Sequence, residues 1–116
     1  MKNLMLEEIL NKTDKNNEEW AKLGKGVQKA VRAYFDSKQC DYLVVEDLWE
    51  QDTDEFVDFL RECKIEKFIF AETSTEATKC LMKMIEKNCK VIGTQVYKED
   101  DFIFSKITYK GLVIEL

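Results

Sequence analysis

Apolar residues recur with a helical period in four stretches of the chain and bunch into short runs in five others. Leu4 to Asn11 predicts a short helix with Leu6, Ile9 and Leu10 on one face. Lys12 to Asn17 is a polar break. Beyond it Trp20, Leu23, Val27, Ala30, Val31, Tyr34 and Phe35 follow i, i+3, i+7 spacing, which predicts one long helix from about Glu18 to Lys38. Gly24 and Gly26 fall inside that helix at a combined cost of about 2 kcal/mol relative to Ala.

The rest of the chain alternates. Tyr42 to Glu46 reads as a strand apolar on both faces. Asp52 and Glu55 form a capping-box pair that opens a helix with Phe56, Phe59, Leu60 and Cys63 inward. Lys67 to Ala71 is a second strand, and Thr73-Ser74-Thr75-Glu76 opens a helix with Ala77, Leu81, Met84 and Ile85 inward. Lys90 to Tyr97 is a third strand. Lys98 to Asp101 reads as a turn, and Phe102 to Tyr109 and Leu112 to Leu116 as two further strands joined by Lys110-Gly111.

Strands separated by helices imply parallel pairing, and strands separated by short turns imply antiparallel pairing. The expected fold is therefore α/β. It is a three-layer-like domain with a mixed sheet of about five strands, a parallel βαβαβ core and C-terminal antiparallel strands. Residues 1–40 supply an N-terminal helical pair and residues 41–116 the sheet with two crossover helices, within one domain. Val44, Val45, Phe68, Ile69, Phe70, Val91 and Ile92 are the expected centre of the sheet core.

Charge changes this picture by being local. The span from Asp41 to Glu76 holds twelve Asp/Glu against three Lys/Arg, while the flanking segments are each slightly basic. A one-sign field of that kind points to partners rather than to fold. No apolar run approaches the ~20 residues of a membrane helix, and Glu7 and Glu8 interrupt the start before a signal-peptide core could form. The expected location is the cytoplasm, with no membrane partner. The cysteines Cys40, Cys63, Cys80 and Cys89 show no C-x-x-C spacing and suit a reducing compartment as small buried hydrophobes.

The chain has no His and no Pro, and its four Gly form neither a P-loop nor a dinucleotide fingerprint. Imidazole-based nucleophile activation is therefore excluded. Nothing in the sequence requires a cofactor or a metal, and no residue is assigned a catalytic role.

Three surfaces remain as candidates. In open α/β sheets ligands gather at the carboxyl ends of the strands. There Glu46 and Asp47 follow the first strand and Glu72, Thr73 and Ser74 the second, a set able to hold a small ligand or a metal-bound phosphate. Receiver domains would need a phosphoacceptor Asp where Phe70-Ala71-Glu72-Thr73 stands. Dehalogenase-type phosphatases would need Asp-x-Asp where Glu46-Asp47-Leu48-Trp49 stands. Helix capping explains Thr73, Ser74 and Glu76 equally well.

The second candidate is the acidic face of Asp54, Glu55, Asp58 and Glu62, suited to a basic protein partner or to another copy of the chain. The third is a basic stripe of Lys22, Lys25, Lys29 and Arg32, opposite Trp20, Val27 and Val31 and without aromatics of its own. The negative net charge sets nucleic-acid binding behind protein contact. The segment from Leu43 to Glu50 followed by Phe56, together with Phe68 to Thr75, resembles small proteins of Gram-positive bacteria and their mobile elements, and implies no activity. The expected function is a small non-catalytic α/β protein acting through protein–protein contact by its acidic surface.

Overall fold

The computed structural model describes residues 1–116. Helices α1 (Leu4–Thr13), α2 (Asn17–Ala21) and α3 (Lys25–Asp36) precede strand β1 (Leu43–Val45). A 3₁₀ turn (Glu50–Asp52) and helix α4 (Thr53–Glu62) lead to β2 (Lys67–Phe70). Helix α5 (Glu76–Glu86) is followed by a hairpin of β3 (Lys90–Phe102) and β4 (Ser105–Glu115). The sheet order is β1-β2-β4-β3. Only β1 and β2 pair in parallel; β4 is antiparallel to both of its neighbours.

The fold is thus α+β with four strands, not the five-stranded βαβαβ arrangement expected. β4 inserts between β2 and β3, which leaves a single parallel pair and makes β3 an edge strand. Val91 and Ile92 are consequently 46% and 47% exposed rather than central. Lys110-Gly111 is not a turn. Gly111 sits within β4 where that strand presses on β2, and a Cβ there would meet Ile69 Cγ2 and come within 2.9 Å of the Phe70 carbonyl oxygen. The chain reverses instead at Ile103-Phe104, between the paired Phe102 and Ser105.

Only one face of the sheet carries helices. Leu43, Val45, Phe68, Phe70 and Ile114 join residues of α1, α3, α4 and α5 in one core, with Phe56 edge-on to Phe68 at 5.5 Å. Val44 and Ile69, on the opposite face, are also buried. A flat sheet would hold β3 three spacings, about 14 Å, from β1. Yet the Tyr97 hydroxyl donates to Glu46 at 3.2 Å, and the Tyr97 carbonyl lies 4.0 Å from Cys40 Sγ. The hairpin therefore swings across this second face, helped by register shifts at Val91/Gly93 and Val96/Lys98. The expected third layer of helices is replaced by a bent hairpin.

The long helix expected over residues 18–38 is two helices. The backbone at Gly24 is extended (φ −64°, ψ 157°) and starts α3 afresh. With no proline and few glycines, other helices stop on left-handed residues that carry side chains: Lys64 (φ 62°) after α4 and Asn88 (φ 67°) after α5. Two polar side chains tie the periphery down. Asn3 caps α1 and donates to the Cys63 carbonyl at 2.9 Å. Arg61 donates to the Lys87 carbonyl at 2.7 Å and the Leu116 carbonyl at 3.1 Å, closing the end of α5 and the end of the chain. No helix is long and apolar enough to cross a membrane.

Phe70 is 2% exposed, belongs to the core shared with the helices and pairs with Leu112 of β4. Replacing it by Ala is expected to cost about 3–5 kcal/mol in urea melts, through lost burial and an unfilled cavity. A loss under about 1 kcal/mol would place this strand outside the core.

Candidate functional site

The strand-end carboxylates do not converge. Glu46 accepts from Tyr97, and Asp47 pairs with Lys29 Nζ at 2.6 Å. Glu72 turns inward and accepts from the Leu48 N–H at 3.1 Å and the Ser74 N–H at 3.0 Å. Burial pushes the Glu72 carboxyl up, and the nearby Asp47 pushes the same way. The Ser74 backbone and side chain and the Leu48 N–H outweigh both and hold it below its ordinary 4.5. Ser74 Oγ accepts from the Glu76 N–H at 3.2 Å, a local turn bond just ahead of α5, whose N-cap is Thr75. Thr73 is exposed. Each strand-end carboxylate already has a partner within the chain, and no three His, Cys, Asp or Glu side chains are grouped as a metal ion needs.

The acidic face of α4 is smaller than its sequence suggests. Asp52 makes no capping bond to α4, and Glu55 closes no box there. Glu55 Oε1 instead accepts from the Gly26 N–H at 2.6 Å and the Val27 N–H at 3.2 Å, capping α3 from outside its own helix. Asp58 pairs with Lys87 at 3.0 Å. Asp54 and Glu62 are exposed and in no ion pair.

The basic stripe is divided by the break at Gly24. Lys22 stays with α2 and pairs with Glu19 at 3.1 Å. Lys25, Lys29 and Arg32 lie along α3 and line a groove of about 560 Å³ together with Trp20, Gln28, Trp49, Gln51 and Asp52. Trp20 packs against the core, as its apolar spacing implies, and also lines this groove. Arg32 stands over its ring at 5.7 Å. Gln28 Nε2 donates to the Trp20 carbonyl at 3.0 Å and so holds α2 against α3. Trp49, 51% exposed, comes from the loop after β1. The sequence pattern concealed both tryptophans because the helix break reorients one and a loop delivers the other. The one visible signal was Gly24-Lys25-Gly26, read as tolerated helix.

Three of the four thiols, Cys63, Cys80 and Cys89, are buried and held protonated. Burial, with the Glu62 charge behind it, pushes the Cys63 thiol up to about 11. Burial also raises Cys80 and Cys89, in the latter case against Arg61 and Lys87. Burial and the charge of Glu46 push the Tyr97 hydroxyl up to about 12.

These features define a small α+β module with a cationic, tryptophan-lined groove on one side and a projecting hairpin on the other sheet edge. Residues 29–110 match the family described as Domain of unknown function (DUF7698), and the chain belongs to that family. The match begins inside α3 and takes in Lys29, Arg32, Trp49 and the hairpin tip. No curated protein and no solved structure matches the chain.

Because the Glu72 pKa is lowered by folding, the unfolded chain binds more protons just below 4.5, and stability rises with pH there. The contribution is complete above 4.5 and disappears as pH falls through the folded value. Glu72→Gln is therefore expected to be less stable than the wild type at neutral pH, with the gap closing in acid. Unfolding free energies measured across this range check it; a gap that does not change with pH contradicts it.

Proposed function

We propose that the chain is a non-catalytic module that acts through protein–protein contact, with the tip of the β3–β4 hairpin as the contacting element. The observation that carries the proposal is the exposure of Phe102, Ile103 and Phe104 at 56%, 91% and 98%. Three consecutive large apolar residues in water are unusual on a soluble surface. Turn chemistry does not call for them either. Two-residue hairpin turns favour Gly, Asn or Asp with positive φ, whereas Ile103 and Phe104 both keep negative φ. Neither the core nor the turn accounts for these side chains, and burial against a partner does.

The acidic surface has a lesser part in this reading. Asp54 and Glu62 leave part of the negative field on α4 unpaired, and such a field accelerates association with a basic partner without contributing much burial. The buried thiols of Cys63, Cys80 and Cys89, and the strand-end carboxylates already engaged within the chain, support a binding role over a catalytic one.

A photo-crosslinking residue at position 104, in the cell that makes the protein, is expected to give a discrete protein adduct. The same residue at exposed Lys15 is expected to give none, and Phe102→Ser is expected to remove the adduct at 104. Because Phe102 is exposed, that substitution should change stability by no more than about 0.5 kcal/mol. An adduct with a second copy identifies a homo-oligomer; an adduct with another chain identifies the partner. No adduct at 104, or the same pattern at both positions, contradicts the proposal.

A further inference from the structure

We infer that the groove between α2, α3 and the loop after β1 binds one nucleotide unit, a base with its phosphate. Three observations converge on that chemistry. Lys25 and Arg32 line the groove and enter no ion pair, so two cations are available to an anion. Trp20 and Trp49 add aromatic surface beside them, and base–aromatic stacking tolerates any base. The third is Asp52. Its side chain makes no capping bond to α4 and lines the groove among the cations.

A carboxylate in that position repels a bare anion such as sulfate or inorganic phosphate. It accepts hydrogen bonds from the N–H groups on a base edge. A ligand must then combine an anionic end, a flat ring and ring-edge donors, which a nucleotide does. Lys29 is already held by Asp47 at 2.6 Å, so it fixes the groove wall to the end of β1 and leaves the phosphate to Lys25 and Arg32. The volume of about 560 Å³ lies within the range of small-ligand sites, about 300–1,000 Å³, and accommodates one nucleotide rather than a duplex. The nucleotide can come from solution or from an unpaired position of a single strand. The inference is independent of the hairpin, which lies outside the groove.

The chain has only two tryptophans and both line this groove, so intrinsic indole fluorescence responds to its occupation. Titration with each of the four ribonucleoside monophosphates, and separately with a short single-stranded oligonucleotide, is expected to give saturable quenching. Lys25→Glu with Arg32→Glu should weaken it about tenfold or more, a loss of the order of one strong contact. Both residues are exposed, so the melting temperature serves as the folding control. Asp52→Asn should change the preference among the four bases more than it changes affinity for phosphate. Saturation by monophosphates assigns a free nucleotide. Saturation by the oligonucleotide alone, weakening steeply with salt, assigns a strand. Equal quenching by inorganic phosphate, or none with any nucleotide or oligonucleotide, overturns the inference.

Discussion

The close approach of the start of α3 to the start of α4 is the constraint from which the rest of the arrangement follows. Gly26 is buried against the backbone of the Asp52–Phe56 turn, with no room for a side chain. Two of the free N–H groups at the start of α3 then point at Glu55, whose carboxylate accepts both. An orphan helix end inside the structure costs free energy unless such a partner is present. The contact forces the chain to leave helical geometry at Gly24. That break redirects the chain between α2 and α3 and brings Trp20 to the same groove as Lys25 and Arg32. The turn that receives Gly26 also presents Trp49 and Asp52. Helix packing and groove are one event, and the Glu55 carboxylate is engaged within the chain by it.

The second organising feature is the hairpin. β4 completes the sheet beside β2 while β3 passes over the second face, so Val44 and Ile69 are buried without a helix. Gly111 permits the close crossing of β4 on β2. Past that crossing the paired strands run on to a tip of exposed apolar residues, within a molecule 46 Å in its longest dimension. A chain that spends about a fifth of its length on such a projection holds it in place with Tyr97, anchored to Glu46.

Much of the fold was legible because local patterning and global packing agree. The strands at Leu43–Val45 and Lys67–Phe70 and the helix of Phe56 bury the apolar residues their patterns nominate, whereas the helix of Met84 buries Met84 and Cys80 and leaves the expected Ile85 59% exposed. The failures have physical causes. The apolar spacing runs unbroken through Gly24 and Gly26 despite their cost in a helix; only the α3–α4 contact shows why they are needed. Lys110-Gly111 has turn composition, yet glycine also serves where two backbones nearly touch. Ile103-Phe104 lacks turn composition and turns nonetheless. Of the candidate site residues, Lys25, Lys29 and Arg32 share one face of α3, as their spacing implies. Trp20, Trp49 and Asp52 were not associated with them, because no single period links a broken helix to a loop after a strand.

The α3–α4 contact, not a continuous helix, governs this region, and the stability of Gly26→Ala reads that contact out. In a continuous helix with an open face, Gly→Ala raises stability by about 0.5–1 kcal/mol. Here the new Cβ would stand 2.6 Å from the Phe56 nitrogen and 2.7 Å from the Asp52 carbonyl oxygen, both backbone atoms that cannot rotate away. Denaturant melts should show Gly26→Ala less stable than the wild type by about 1–3 kcal/mol, as overpacking costs. A variant as stable as the wild type, or more so, would contradict the account.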